Sequence, residues 1–337
     1  MLLRRKSATD HVFRNAWRTR SVRAFVPILL AMPLVAAAQT YPAKPVRFVV
    51  PYPAGGINDI IARLIANRMA AALGSPWIVD NRAGRGGMIG CDLVAKSPPD
   101  GYTLVHGGMG SLTLGPFLSK VPYDSLRDFT PITLTSRAPN VVVVHPSLPV
   151  RTVKELIALS KSRPGQLDYA TPGVGSTPHL TASLFVSVTG VRMVHIPYKG
   201  SAPATIDLVA GQVPIGFMPI ATAAPHLASG RLRAIGVTSL QRSRSLPSVP
   251  TMSEAGLVGF EMNPWFGVLA PAATPAEIIA KLNTELMRVL RSPEIVQQLA
   301  PHGIDVVHSS PEEFVAVIRG DLQKWGKVIR EAGIKGE

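Results

Sequence analysis

With 337 residues, 46% hydrophobic content and 17% charged side chains, the chain has material for two packed cores, which excludes disorder as its default state. Its formal charge of +14 is unevenly placed: residues 1–38 hold seven basic side chains and one acidic one, and the remainder carries +8. That excess forms nothing denser than the loose cluster Arg231, Arg233, Arg242 and Arg244, with no interleaved aromatic residues, so nucleic acid is excluded as the expected partner and a small anion fits better.

At the N-terminus, basic residues from Arg4 to Arg23 precede an apolar run from Ala24 to Ala38. The run is too short for the roughly 20 residues that span a bilayer, and it ends in Ala36-Ala37-Ala38, a small-x-small pattern. This predicts a signal peptide over residues 1–38, cleaved near Ala38, and an exported mature chain. The single Cys91 has no partner for a disulfide or a metal site and reads as a buried small residue.

The mature chain alternates short β-branched runs with longer periodic segments, the pattern of an α/β protein with mostly parallel sheets flanked by helices. Val46 to Val50 reads as a strand and Ile57 to Leu73 as a helix closed by Gly74. Trp77 to Val79 and Tyr102 to Val105 read as further strands. The uninterrupted run Val141 to Val144 reads as a strand buried on both faces, after a loop around Arg137 to Asn140 where the chain leaves its first domain. Thr152 to Glu155 is a capping box, and strands at Leu167 to Ala170, Val191 to Ile196, Val213 to Phe217 and Leu232 to Val237 follow. A return crossing is expected near Asn263 to Leu269. Beyond it, Thr274 to Glu277 and Ser310 to Glu313 open helices whose buried stripes run through Ile278, Leu282, Leu286 and Leu290, and through Phe314, Ile318, Trp325 and Ile329. The expected architecture is one lobe from residues 39–140 plus 263–337, a second from 141–262, and a hinge of two crossings.

Three strand-to-helix junctions carry glycines and hydroxyls where unpaired N–H groups and the helix dipole favour an anion. The first is Tyr52-Pro53-Ala54-Gly55-Gly56, with Asp59 in the following helical turn, where it also suits a plain dipole-matched helix start. The second is Gly107 to Thr113, including Ser111 and Thr113. The third is Thr171 to His179, including Gly175, Ser176 and His179. Loops on two domains facing each other would form a cleft that a ligand shuts. None matches a nucleotide motif, and Gly84-Arg85-Gly86-Gly87-Met88-Ile89 lacks the sixth-position glycine of the dinucleotide pattern. No nucleophile elbow or zinc helix is present, so neither cofactor nor metal is expected; Ser176 with His179 is the one candidate catalytic pair and lacks an acid.

These segments resemble the Bug or TctC family of extracytoplasmic solute receptors for tripartite tricarboxylate transporters. The resemblance runs from Tyr41 to the C-terminus through Pro51-Tyr52-Pro53-Ala54-Gly55-Gly56 with Asp59, Asn81-Arg82-Ala83-Gly84, Pro99-Asp100-Gly101-Tyr102, Gly173-Val174-Gly175-Ser176 with His179, and Pro197-Tyr198-Lys199-Gly200. It implies a type II periplasmic-binding-protein fold, a periplasmic receptor without enzymatic activity, a small carboxylate as ligand, and membrane permease subunits as partners; a monomer is the simplest expectation, since a hinged receptor must present both lobes to its partner. The carboxylate would meet the Tyr52 to Gly56 loop and the Thr171 to Ser176 loop, with Ser111 and Thr113 in the same cleft and Tyr198 at its rim. The chain departs from the family at Leu114-Gly115-Pro116 and at Gly216-Phe217-Met218, where relatives carry asparagine and aspartate. That predicts an apolar far end lined by Met109, Leu112, Phe217 and Met218, and a ligand with one carboxylate on an apolar or aromatic body, with dicarboxylates and citrate-like ligands left open. A sensing receptor that presents its closed form to a membrane regulator, or an exported carboxylate-ester hydrolase, are the alternatives.

Overall fold

A computed structural model describes residues 41–331. The expected signal peptide lies outside the described residues. Two sheets organise the chain. The first contains β1 (Val46–Val50), β2 (Trp77–Asn81), β3 (Thr103–Gly108), β4 (Phe129–Arg137), β10 (Trp265–Pro271) and β11 (Asp305–Val306), in the order β11-β4-β10-β3-β1-β2. The second contains β5 (Asn140–Val144), β6 (Asp168–Thr171), β7 (Val194–Pro197), β8 (Ile215–Pro219) and β9 (Arg233–Val237), in the order β7-β6-β8-β5-β9.

The sheets are mixed, where mostly parallel pairing was expected. β1 pairs in parallel with β2 and β3, and β6 with β7 and β8. All pairs made by β4, β5 and β10 are antiparallel. The reason is connectivity: β10, the strand that returns to the first sheet, inserts reversed between β3 and β4, and β5, the strand that enters the second, inserts reversed between β8 and β9. β4, β11 and the helix α9 (Pro293–Leu299) carry no period that the sequence reading recognised.

Each sheet is covered on both faces. On β1, Val46, Phe48 and Val50 face one way and pack with Ile61, Ile65 and Met69 of α1 (Ile57–Leu73) and Leu282 and Leu286 of α8 (Ala276–Leu290). Val49 faces the other way, toward Cys91 of α2 (Met88–Ala95) and Phe314 and Ile318 of α10 (Pro311–Glu331). The same alternation explains Val141 to Val144. Val142 and Val144 join Leu156 of α4 (Val153–Ser162) and Phe185 of α5 (Thr177–Thr189), while Val141 and Val143 join Leu208 of α6 (Ser201–Val209) and Ala223 of α7 (Ile220–Ala228).

Close packing also explains several glycines. A Cβ on Gly267 would collide with the Phe314 ring and lie 2.8 Å from the Thr133 carbonyl. Gly107 and Gly108, expected in a loop, are the last residues of β3: side chains there would strike Leu112 and Phe266, at 2.7 and 2.8 Å.

The two connections between the sheets run side by side. Ala138 N–H donates to the Pro264 carbonyl (2.8 Å), and the Thr238 hydroxyl donates to the Met262 carbonyl (2.6 Å) and itself accepts from the Asn140 N–H (2.9 Å).

Candidate functional site

The first loop follows β1 and is built around Asp59. Its carboxylate, 3% exposed, accepts from the Gly55 N–H (2.9 Å), from Arg63 Nε (2.9 Å) and from Asn81 Nδ2 (2.9 Å). Burial pushes this carboxyl up, but the Arg63 guanidinium and the two N–H donors outweigh it and hold it below the usual carboxylate range. Asn81 sits opposite Val50 in the β1–β2 register and donates again, to the Tyr52 carbonyl (3.1 Å). Asp59 therefore shapes the loop, with both of its oxygens engaged inside it. Ala54 and Gly55 lie exposed at the loop's tip, with Gly56 half-buried beside them. Replacing Asp59 with alanine should cost about 2 kcal/mol, since it removes three hydrogen bonds to a charged acceptor, and should weaken ligand capture; urea unfolding and titration of the variant check both.

Tyr52 turns inward, its hydroxyl 3.5 Å from Ser111 Oγ, and burial pushes it up to about 12, against the Ser111 hydrogen bond. Ser111 belongs to a one-turn π-helix, Gly110–Leu114, that continues into α3 (Gly115–Leu118). Such turns are rare and concentrate at functional sites. Ser111 Oγ donates to the Gly108 carbonyl (3.2 Å) and accepts from Cys91, whose thiol burial pushes up to about 11. Gly87, at φ 97°, completes the wall: a Cβ there would lie 3.1 Å from both Tyr52 and Ser111. Thr113 is fully buried and donates to the Met109 carbonyl (2.9 Å), so its hydroxyl serves the helical turn and not the cleft.

The loop after β6 answers from the second sheet. Gly173 (φ 140°) and Gly175 (φ 75°) bend the backbone into a region that only glycine enters cheaply, and a Cβ on Gly173 would also lie 2.8 Å from the Tyr198 carbonyl. Ser176 caps α5: its Oγ donates to the Gly173 carbonyl (2.6 Å) and accepts from the His179 N–H (3.3 Å). That use of Ser176 sets it apart from a nucleophile activated by His179. Instead, His179 Nδ1 accepts from the Gly175 N–H (3.3 Å). Thr171, fully buried, meets His195 Nε2 at 2.7 Å.

The two loops meet at Gly110. A Cβ on that residue would lie 3.3 Å from the Tyr52 hydroxyl, 3.8 Å from Thr177 Cγ2 and 4.0 Å from the Gly175 carbonyl. Tyr52, Ser111, Gly175 and Ser176 are thus brought to one seam between the sheets.

Two candidates fall elsewhere. Tyr198 borders the second loop through its backbone, but its hydroxyl donates to Asp207 (2.6 Å) on α6, and burial pushes it up to about 12. Met218 is 1% exposed and packs in the core with Val141, Ile220 and Ala223. Phe217, on the opposite face of β8, is equally enclosed, as are Met109 and Leu112 in the first lobe. The expected apolar far end is therefore core and not cleft, because a strand buried on both faces shows neither side chain to a ligand. Asn81, Gly87 and His195 contact residues of the candidate loops and were not expected there. The first two lie inside the segments Asn81-Arg82-Ala83-Gly84 and Gly84 to Ile89, whereas only the β6–β7 register, which sets His195 opposite Tyr169, brings His195 to Thr171. Two further cavities, of about 360 and 450 Å³, are lined by none of the residues in either loop.

Residues 61–334 match the model of the tripartite tricarboxylate transporter family receptor, TctC. The chain belongs to this family. Solved relatives place it in the same fold. A Rhodopseudomonas palustris protein with adipate is 38% identical (TM-score 0.83; 88% of this chain, 100% of that one). The periplasmic binding protein BugD is 35% identical (TM-score 0.80; 88% and 100%). MatC from the same Rhodopseudomonas species, with bound malate, is 32% identical (TM-score 0.79; 86% and 100%). The TctC-family chain is accordingly a two-lobed periplasmic solute-binding receptor, and its family is one of receptors and not of enzymes.

Proposed function

We propose that this receptor captures a small dicarboxylate between the Tyr52 to Gly56 loop and the Thr171 to Ser176 loop and delivers it to a tripartite tricarboxylate-type membrane transporter, after removal of a signal peptide near Ala38. The observation that carries the reading is the meeting of two glycine-rich, hydroxyl-bearing loops, one from each sheet, at Gly110. Each loop ends at a helix N-terminus with N–H groups suited to one carboxylate, so two loops suit a ligand with a carboxylate at each end. Relatives solved with adipate and with malate support the same class. The burial of Met109, Leu112, Phe217 and Met218 removes the reason for an aromatic monocarboxylate. The lobes 39–140 plus 263–337 and 141–262 would close about their paired connections.

Calorimetric titration of the protein purified from periplasm and freed of carried-over ligand tests this against mono-, di- and tricarboxylates. Saturable binding of dicarboxylates such as adipate or malate, with benzoate weaker by tenfold or more, is the expected result. Binding restricted to monocarboxylates would overturn the class, and silence across the panel would overturn carboxylate capture.

A further inference from the structure

Beside the second loop, three rings form a stack that the capture of a carboxylate does not by itself require. His195 lies between His179, with centroids 4.5 Å apart and planes at 15°, and Tyr169, at 5.0 Å and 17°. Each imidazole touches the loop through one nitrogen. His179 Nδ1 receives the Gly175 N–H, which makes it an acceptor and leaves the proton on Nε2. Thr171 Oγ1 accepts from the Gly173 N–H (3.3 Å), and the one acceptor within reach of its own hydrogen, among the described residues, is His195 Nε2. A buried hydroxyl gives up its hydrogen bond only at a cost, so His195 also accepts and carries its proton on Nδ1. The bends at Gly173 and Gly175 are thus held by two neutral rings.

We propose that His195 is a positioning residue for ligand capture, and that His179 and His195 together hold the Thr171 to Ser176 loop as hydrogen-bond acceptors, so that protonating them releases the loop. Protonated His179 would set an N–H against the Gly175 N–H, and protonated His195 would displace the Thr171 hydrogen. Two cations could not share the 4.5 Å stack.

The surroundings agree. Tyr169 of β6 is the ionisable group stacked on His195, and Asp168, one residue earlier, points to the opposite face of the sheet. The helix α5 carries no charged residue besides His179, α4 keeps Lys154, Glu155 and Lys161 exposed, and Asp207 of α6 is taken by Tyr198. Burial pushes His179 down, and burial with the His179 charge pushes His195 down to about 4.

This inference rests on the loop's role in carboxylate capture, and the test separates the two. Long-range proton–nitrogen correlation of the ligand-free protein at pH 7 should show His195 protonated on Nδ1 and His179 on Nε2. On acidification, the Gly173 and Gly175 amide signals should move together with the rings, at midpoints below 6.5. His195→Gln offers an acceptor that does not titrate. It should keep the Gly173 amide in its wild-type position and make it insensitive to acid, whereas His195→Leu should displace it at every pH. With adipate as probe, half a pH unit below the wild-type midpoint, the wild type should bind about fourfold more weakly than His195→Gln. Comparison at one pH cancels the probe's own protonation. The opposite tautomers, ordinary midpoints near 6.5 with still amide signals, or identical pH profiles for wild type and His195→Gln would overturn the proposal. Adipate and the carboxylate panel failing to bind, with ring and amide signals as described, would overturn carboxylate capture and support the histidine-held loop.

Discussion

Gly110→Leu should lower affinity for the captured carboxylate by at least a hundredfold, about 3 kcal/mol, while leaving both lobes folded. Gly110 is not among the glycines at positive φ, so a side chain is not opposed by strain there. What opposes it is space. A bare Cβ already sits 3.3 Å from Tyr52 on its own lobe and 3.8 to 4.0 Å from Thr177 and Gly175 on the other. The three further carbons of leucine have room only if the seam opens, and an open seam separates the two sets of N–H groups that a dicarboxylate must reach together. Most of the buried core flanks the sheets, with Leu180 of α5 crossing from the second lobe into the core of the first, so the unfolding free energy should change by no more than about 1 to 2 kcal/mol. Gly110→Ala is the control, because 3.3 to 4.0 Å is close to ordinary contact; it should stay within about tenfold of wild type. Titration with adipate, paired with small-angle scattering to read separation of the lobes, checks both variants. Undiminished binding by Gly110→Leu would mean that this seam is not where the ligand lies.

Much of this arrangement was legible in the sequence because it depends on local rules. The helix Ile57–Leu73 has the bounds that its period and Gly74 dictate, and the uninterrupted valines of β5 announce a strand covered on both sides. The loops at Tyr52 and Thr171 carry their glycines where φ turns positive, at Gly55, Gly173 and Gly175. Other features depend on which strands become neighbours, and sequence spacing does not encode that. Gly107 and Gly108 read as a flexible junction, yet they extend β3 because β10 returns beside them and brings Phe266 across Gly108. Met218 read as a pocket residue because it departs from the family's pattern, but α6 and α7 cover its face of β8. His195 lay on a strand with no local signal at all. It gains its role from pairing with β6, 24 residues from the threonine it contacts.

The candidate residues also separate by what their polar atoms have left to offer. Asp59 and Thr113 are spent inside their own loops, and Tyr198 is spent on Asp207. The groups that remain for a ligand are chiefly backbone N–H groups and the small residues beside them. This explains why glycine and hydroxyl residues, and not charged side chains, mark the site in the sequence. Under the proposed capture, a receptor built this way would tolerate variation in ligand body, because it would grip carboxylate ends with the main chain.

Acid should destabilise the protein well before its carboxylates protonate, and His106 is the reason. Its ring is fully buried on β3, 5.7 Å from Phe48 and 5.9 Å from Phe266. Asn58 Nδ2 donates to the His106 carbonyl (3.0 Å), which turns Asn58 Oδ1 toward His106 Nδ1 (2.6 Å) as an acceptor. Nδ1 therefore carries the proton, and Nε2 receives the Thr135 hydroxyl (2.8 Å). This neutral ring ties α1, β3 and β4 together. Burial pushes it down to about 3, against the Asn58 hydrogen bond. An unfolded chain takes up that proton near pH 6.5 and the folded one does not, so stability is flat above 6.5 and falls at lower pH by up to about 1.4 kcal/mol per unit. By pH 3 the loss from this residue reaches roughly 4 kcal/mol, a large share of the 5 to 15 typical of a folded domain. His195 acts in the same direction down to about 4. His106→Gln should cost about 1 to 2 kcal/mol at pH 7 through the one hydrogen bond it cannot replace, and should flatten the acid limb, so that the two stability profiles cross between about pH 6 and pH 5. Urea unfolding from pH 7.5 to 4 measures this; an acid limb as steep in His106→Gln as in wild type would move the burden to His179 and His195.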